Sequence, residues 1–396
     1  MERPLAAPDL ALDGSRRVYV VAGMHRAGTS VVARALQALG VNLGDRLMSP
    51  DQRMNARGFF EDLDLVRIDE ALLAACGADW KNVALLDDID WTAPAFGACA
   101  DEARALIATR LSADGAYGCK DPRMPRLLPF WKRQFADAGV ADHYVIAIRH
   151  PLSVIDSLTT RDQLDTRRSA WLWLVHLVCA MRYTAGRRRV VVDYDRMLAA
   201  PESELDRMRT ALALPHAPDA ATATATFVRD FLSQGLRHAE HDPADLAGGN
   251  LPPAVTEAWA LAIAMARDDA GMPHMEARFD TLFDGLRRLS PLLAYTGTAE
   301  RAADDVARLE GELAWATGSL AEAGAYSDSL RATLVEHNER LATAAEYAID
   351  LQAAVQRKDA ELQRQEAALA GAHRVLEQVR QRALGRMLLR SISKKS

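Results

Sequence analysis

The sequence predicts an α/β protein with a central parallel sheet flanked by helices, followed by a long α-helical coiled coil. Three observations carry this. β-branched runs alternate with helix-length segments up to about residue 295, glycines punctuate the first strand-to-helix turn, and a seven-residue apolar repeat runs through the last quarter. The strand candidates are "VYVVAG" from Val18, "YVIAIR" from Tyr144 and "RVVVDY" from Arg189. Each is apolar throughout rather than alternating, as strands are when helices cover both faces of a sheet. "AWLWLVHLVCAM", Ala170 to Met181, has 12 residues and contains His176. It is too short for a membrane span, which needs roughly 20 apolar residues, and reads as a buried helix. "APDAATATATF" and "DLAGGNLPPAV" (217–227 and 245–255) read as loops from their Ala/Thr and Gly/Pro bias.

Bulk properties narrow the function classes. With 396 residues, 49% hydrophobic and 26% charged, the chain has apolar mass for one large core or two domains. A formal net charge of -6 argues against nucleic acid as a partner, because phosphate neutralisation needs a basic surface. The four cysteines, Cys76, Cys99, Cys119 and Cys179, form no C-x-x-C pair, so reduced buried thiols are expected rather than zinc or a disulfide framework. The acids and prolines of the first 14 residues do not suit a secretory leader, and no stretch suits a transmembrane segment; a cytoplasmic protein is expected.

After Pro291 and Gly297 the composition changes. Apart from Ser327, apolar residues recur every seventh position from Leu313 to Leu376, with a companion series from Leu309 to Val379. Spacings of three and four held this long indicate a coiled coil and, through it, self-association. A helix folded back on the α/β domain is the competing reading, favoured by Gly318, Gly324 and Gly371. His337, Lys358 and Gln365 interrupt the seam, where polar residues fix register at a cost in stability. The expected divisions are a disordered N-terminus over 1–15, an α/β domain over 16–295, a coiled coil over 299–383 and a basic tail over 384–396. The tail reads as a solvated end rather than a membrane contact.

The chemistry concentrates in two stretches. In "VYVVAGMHRAGTS" a strand runs into Gly23, four residues, then Gly28, Thr29 and Ser30 at a helix start. Such a turn aims backbone N–H groups and the helix's positive end at a phosphate; a turn with incidental glycines is the alternative. A nucleotide-triphosphate loop would place lysine directly after the second glycine. Here Thr29 stands there, and the cation, Arg26, lies inside the loop. In "YVIAIRHPLSVIDSL" a strand ends at Arg149 and Pro151, with Ser157 eight residues after the arginine, where a guanidinium and a hydroxyl can meet a second anion.

Together the two motifs resemble those of the sulfotransferases that use 3′-phosphoadenosine 5′-phosphosulfate (PAPS), over most of residues 16–290. The resemblance implies the fold of that family, a relative of the P-loop NTPases. It implies that Arg26, Ala27, Gly28, Thr29 and Ser30 hold the 5′-phosphosulfate, and that Arg149 and Ser157 hold the 3′-phosphate, with no metal. Arg26 and Ala27 stand where cytosolic members have Lys and Ser; tyrosyl-protein and many bacterial members are similar to this chain in using arginine. Arg237, in the late "GLRH", would add to the 3′ side, and Arg26 would stabilise the leaving phosphate. Glu61, in "NARGFFEDLD", is the first candidate for general base, by similarity to tyrosyl-protein members; a helix-start charge is the alternative. His25, inside the loop, is the second candidate. Lys120 and Arg123, in "CKDPRMPRLLPFW", are expected to line the anionic pocket, against a Lys120 to Asp121 surface pairing. "GRRR" before Arg189's strand and the histidines of "RHAEHD" read as solvated. The expected activity is sulfuryl transfer from PAPS to a hydroxyl acceptor, a carbohydrate. A P-loop kinase for nucleotides or small molecules, or an inactive scaffold, are the alternatives.

Overall fold

The computed structural model describes residues 16–50, 58–111, 115–215, 220–232, 241, 245–246, 251–267 and 272–392. Two compact units are present, Met1–Ala302 and Ala303–Ser396. The first is an α/β layer structure. Its sheet has four strands, β1 (Arg17–Ala22), β2 (Ala116–Lys120), β3 (Ala141–Ile148) and β4 (Arg189–Asp193), ordered β2-β1-β3-β4 with every pairing parallel. The expected class of sheet is present. Three of its strands are the β-branched runs read in the sequence, and β2 is one that pattern did not reveal.

The pleat of β1 sorts its side chains to opposite faces. Val18, Val20 and Ala22 meet one set of helices, and Tyr19 and Val21 the other. The first face is covered by α2 (Leu63–Ala75), α3 (Gly97–Arg110), α4 (Met124–Asp137), α5 (Pro151–Asp162), α6 (Thr166–Tyr183) and α10 (Pro253–Arg267). The second is covered by α1 (Thr29–Ala38), α7 (Tyr194–Ala199) and α8 (Pro201–Ala211). The apolar 12-residue run is the centre of α6, buried from Leu172 to Met181. His176 lies fully buried there, its Nδ1 2.7 Å from the Leu172 carbonyl, and burial pushes its pKa down to about 3. All four cysteines are free, and three are buried.

Three local readings need correction. The Ala/Thr-rich stretch is helical, α9 (Ala220–Thr226), followed by one wide turn over Phe227–Phe231. Alanine's helix propensity and the packing of Phe227 into the core outweigh threonine's weak preference. Arg189 is not solvated. It is buried in β4, donating 2.7 Å bonds to the Met181 carbonyl and Thr184 Oγ1 and pairing with Glu276. Lys120 and Asp121 do not pair at the surface, since both side chains are buried.

The last helix, α11, runs Met272–Ile392, through Pro291 and into the second unit. Within 303–392 the described side chains are almost all exposed. Among the described residues no helix is long and apolar enough to cross a membrane.

Candidate functional site

The sheet order dictates where a ligand fits. From β1 the chain crosses to β2 on one side and then returns to β3 on the other, so the switch point lies between β1 and β3. In open parallel sheets the loops leaving two such strands part in opposite directions and leave a crevice at their carboxyl ends. Both sequence motifs end there, the first at Gly23 after β1 and the second at Arg149 after β3.

The first loop is tight for identifiable reasons. A Cβ on Gly23 would stand 2.7 Å from the Ala147 carbonyl of β3, so only glycine lets the loop leave that close to its neighbour. Gly28 has φ +85°, and a Cβ there would overlap the Tyr194 ring. Arg26 takes a left-handed φ of 68° without being glycine, a strained conformation of the kind found at ligand sites. No side chain caps α1. The N–H groups of its first turn, around Thr29 and Ser30, lie at its positive dipole end.

The second motif meets the first directly. Arg26 Nε donates to Ser157 Oγ at 2.7 Å, although 131 residues separate them in sequence. The Arg149 guanidinium lies 4.5 Å from the centre of the Tyr194 ring. Trp173 Nε1 donates to the Arg149 carbonyl at 3.2 Å and fixes the backbone there. Pro151 starts α5 with its fixed φ, and Ser157 and Arg161 follow on one helix face, four residues apart. Burial first, then the nearby guanidiniums of Arg161 and Arg149, lower the pKa of Arg26. Like charges gathered at a sheet edge repel, and the Asp162 carboxylate offsets part of that repulsion. Arg161 also pairs with Asp162 at 2.8 Å.

A second polar group adjoins α1 on the β2 side. The Phe59 carbonyl accepts from Ser30 Oγ at 3.3 Å and from Lys120 Nζ at 3.1 Å, and Lys120 pairs with Glu61. Burial raises the pKa of Glu61, and Lys120 acts against it. Glu61 is not the charge that starts α2. Asp62 caps that helix, accepting from the Asp64 N–H at 3.0 Å and held by Arg110 at 2.7 Å and Tyr117 at 3.0 Å. Arg123 turns toward carboxylates, 3.0 Å from Asp121 and 2.8 Å from Glu70. His25 lies between the two groups, its ring centre 4.6 Å from that of Trp80. Burial first, then Arg123 and Lys120, keep it far below the usual histidine pKa, so it is neutral. Its Nε2 has no partner among the described residues.

The expected residues therefore form one cluster with two halves. Arg26, Ala27, Gly28, Thr29, Ser30, Arg149 and Ser157 surround the switch point, Glu61 and Lys120 stand beside Ser30, and His25 packs on Trp80 within the electrostatic reach of Lys120 and Arg161. Arg123 sits behind Lys120 with its charge committed to Asp121 and Glu70, and Arg237 lies outside the described residues. Arg161 and Tyr194 join the cluster without having been singled out in the sequence. Arg161 could have been found from its place one helical turn after Ser157, whereas nothing local marks Tyr194.

A four-stranded parallel α/β unit thus brings a glycine-lined turn and the cations Arg26, Arg149 and Arg161 together at its switch point. Solved structures similar to this chain are sulfotransferase domains. One comes from the curacin biosynthetic pathway, at 13% identity and TM-score 0.33, covering 68% of this chain and 98% of that one. Another, from the Synechococcus PCC 7002 olefin synthase, has 15% identity and TM-score 0.33, covering 68% of this chain and 94% of its own. No family model matches the chain, and no curated protein matches it.

Proposed function

We propose that this protein is a PAPS-dependent sulfotransferase that modifies a hydroxyl, with a carbohydrate as the first acceptor to test. The observation that carries this is the 2.7 Å bond from Arg26 to Ser157, which joins the two motifs, with the charges of Arg149 and Arg161 close to Arg26. The residues fit such a donor. The uncapped start of α1 and Arg26 suit one phosphate, and Arg149 with Ser157 suits a second, matching a nucleotide phosphorylated at both 5′ and 3′ positions. The donor supplies an already activated sulfuryl anhydride. Arg26, with the amides of Gly28, Thr29 and Ser30, holds the 5′ side and stabilises charge on the departing phosphate, while the Ala27 N–H closes the loop by donating to the Met24 carbonyl at 3.1 Å. Arg149 and Ser157 fix the 3′-phosphate, Arg161 adds its charge, and the Tyr194 ring, 4.5 Å from the Arg149 guanidinium, steadies it. For the acceptor's proton, Glu61 is the first candidate, its raised pKa bringing it nearer working pH. Neutral His25, with a ring nitrogen that has no partner among the described residues, is the second.

Calorimetric titration of adenosine 3′,5′-bisphosphate into wild type, Arg26→Ala and Arg149→Ala, without magnesium, tests the donor. Micromolar binding that weakens tenfold or more in both variants, about 1.4 kcal/mol, is expected and would justify an acceptor screen with PAPS. No binding to wild type, with ATP and magnesium bound instead, would replace this reading with a kinase. Ligand binding without turnover of any acceptor would leave the fold as a scaffold.

A further inference from the structure

The second unit exposes an apolar stripe that its own fold leaves uncovered. Between Val306 and Leu384, 20 large hydrophobic side chains are exposed among the described residues. Thirteen of them occupy the two heptad positions of the seam, the series through Leu313 and the series through Leu309, where an even spread would place about six. Those 13 side chains are 51 to 74% exposed. Three more, Tyr326, Tyr347 and Val375, flank the seam one residue before the Leu313 series. A 3.5-residue repeat faces a partner of the same repeat, because only a second helix of matching period stays in contact over ten turns or more.

We infer that this helix pairs with the same segment of a second copy of the chain, parallel and in register. The area suffices. At about 60 Å² each, the low end for burying a leucine-sized side chain, the 13 residues remove roughly 800 Å² per chain, or about 1,600 Å² per pair, the size of a standard specific interface. The polar levels also suit a copy better than a stranger. In parallel register His337 meets His337 and Gln365 meets Gln365, side chains that each carry both a donor and an acceptor. Lys358 meets Lys358, a like-charged level whose repulsion is offset by Glu361 Oε2, 2.9 Å away on the same helix. Flanking charges do not oppose it. Of the ten inter-helix pairs from Glu312 facing Thr317 to Val375 facing Arg380, one, Glu361 facing Glu366, is like-charged.

The test is sedimentation equilibrium on the full purified chain, its seam variant Leu334→Lys/Leu341→Lys, and the off-seam variant Val335→Lys/Ile349→Lys. The expected result is a mass of twice 43.3 kDa for wild type and the off-seam variant, and a shift toward 43.3 kDa for the seam variant. Far-UV circular dichroism and a thermal melt of the α/β unit check that each variant still folds. Register is read from Ala344→Cys, which should form an intermolecular disulfide on mild oxidation while Ile349→Cys does not, because only matched seam positions bring Cα atoms within about 7 Å. A monomeric wild type, an equal loss of mass in both variant pairs, or a dimer that Ala344→Cys fails to lock would overturn the inference. Ligand binding plays no part in these measurements, so their failure is separable from failure of the sulfotransferase reading.

Discussion

Replacing Lys120 by methionine isolates the buried ion pair beside the glycine-lined loop. Its ammonium is 3% exposed and Glu61 is 6% exposed, and the same Nζ donates to the Phe59 carbonyl at 3.1 Å. Lys120→Met strands a carboxylate in the interior, which costs about 3–5 kcal/mol at neutral pH. The Phe59 carbonyl keeps Ser30 Oγ at 3.3 Å, so its loss adds little. Glu61 already has a raised pKa because burial outweighs Lys120, and removing the cation lifts it further. A carboxyl whose folded pKa exceeds its unfolded value favours folding when protonated. That stability is present below the unfolded pKa, near 4.3, and is lost as pH rises through the folded pKa. The variant should therefore be nearer wild type at pH 5 than at pH 8. Lys120→Met/Glu61→Gln, which leaves no buried charge, should recover more than half the loss. Urea unfolding followed by the tryptophan fluorescence of the α/β unit measures all three proteins. The same penalty at both pH values, or a double variant as unstable as the single one, would refute the electrostatic account.

Two further outcomes follow from the same geometry. Gly28→Ala meets both a left-handed φ of +85° and the Tyr194 ring, whereas Gly77→Ala meets a φ of +62° with open space around it. Strain alone costs about 1–2 kcal/mol, so Gly77→Ala should lose roughly that in urea unfolding. Gly28→Ala should lose about 1–3 kcal/mol more, along with binding of adenosine 3′,5′-bisphosphate; equal losses would exclude the Tyr194 contact. His176 is pushed down to about 3, so folding excludes a proton that the unfolded chain takes up near pH 6.5. Its contribution is present above about pH 6.5 and fades as pH falls toward 3. His176→Leu should therefore unfold with a shallower pH dependence, by roughly 3 kcal/mol between pH 6.5 and 4; identical slopes would mean His176 does not titrate on unfolding.

Much of the α/β unit is legible in local pattern. β1, β3 and β4 are continuous branched apolar runs, and such runs are stable only inside a sheet covered on both faces. β2 escapes that rule because "AYGCK" has no branched residue. It is a strand because β1 pairs with it from Arg17 with Ala116 to Val21 with Lys120, and because Gly118 admits Leu43 at 2.7 Å from where a Cβ would be. α9 was hidden by threonine, and the buried course of Arg189 by its neighbours Arg187 and Arg188, which resemble a solvated run until Glu276 and the end of α6 close over the strand.

The sequence by itself determined the glycine-lined turn, the arginine inside it, the arginine and serine of the second motif, and the heptads, because each depends on spacing along one strand or helix. Tertiary structure alone decided that Arg26 bonds Ser157 across 131 positions, that Lys120 neutralises Glu61 rather than Asp121, and that Tyr194 underlies both Gly28 and Arg149. Those relations depend on strand order, and strand order is fixed by which faces bury against which, a global packing balance that no local pattern encodes.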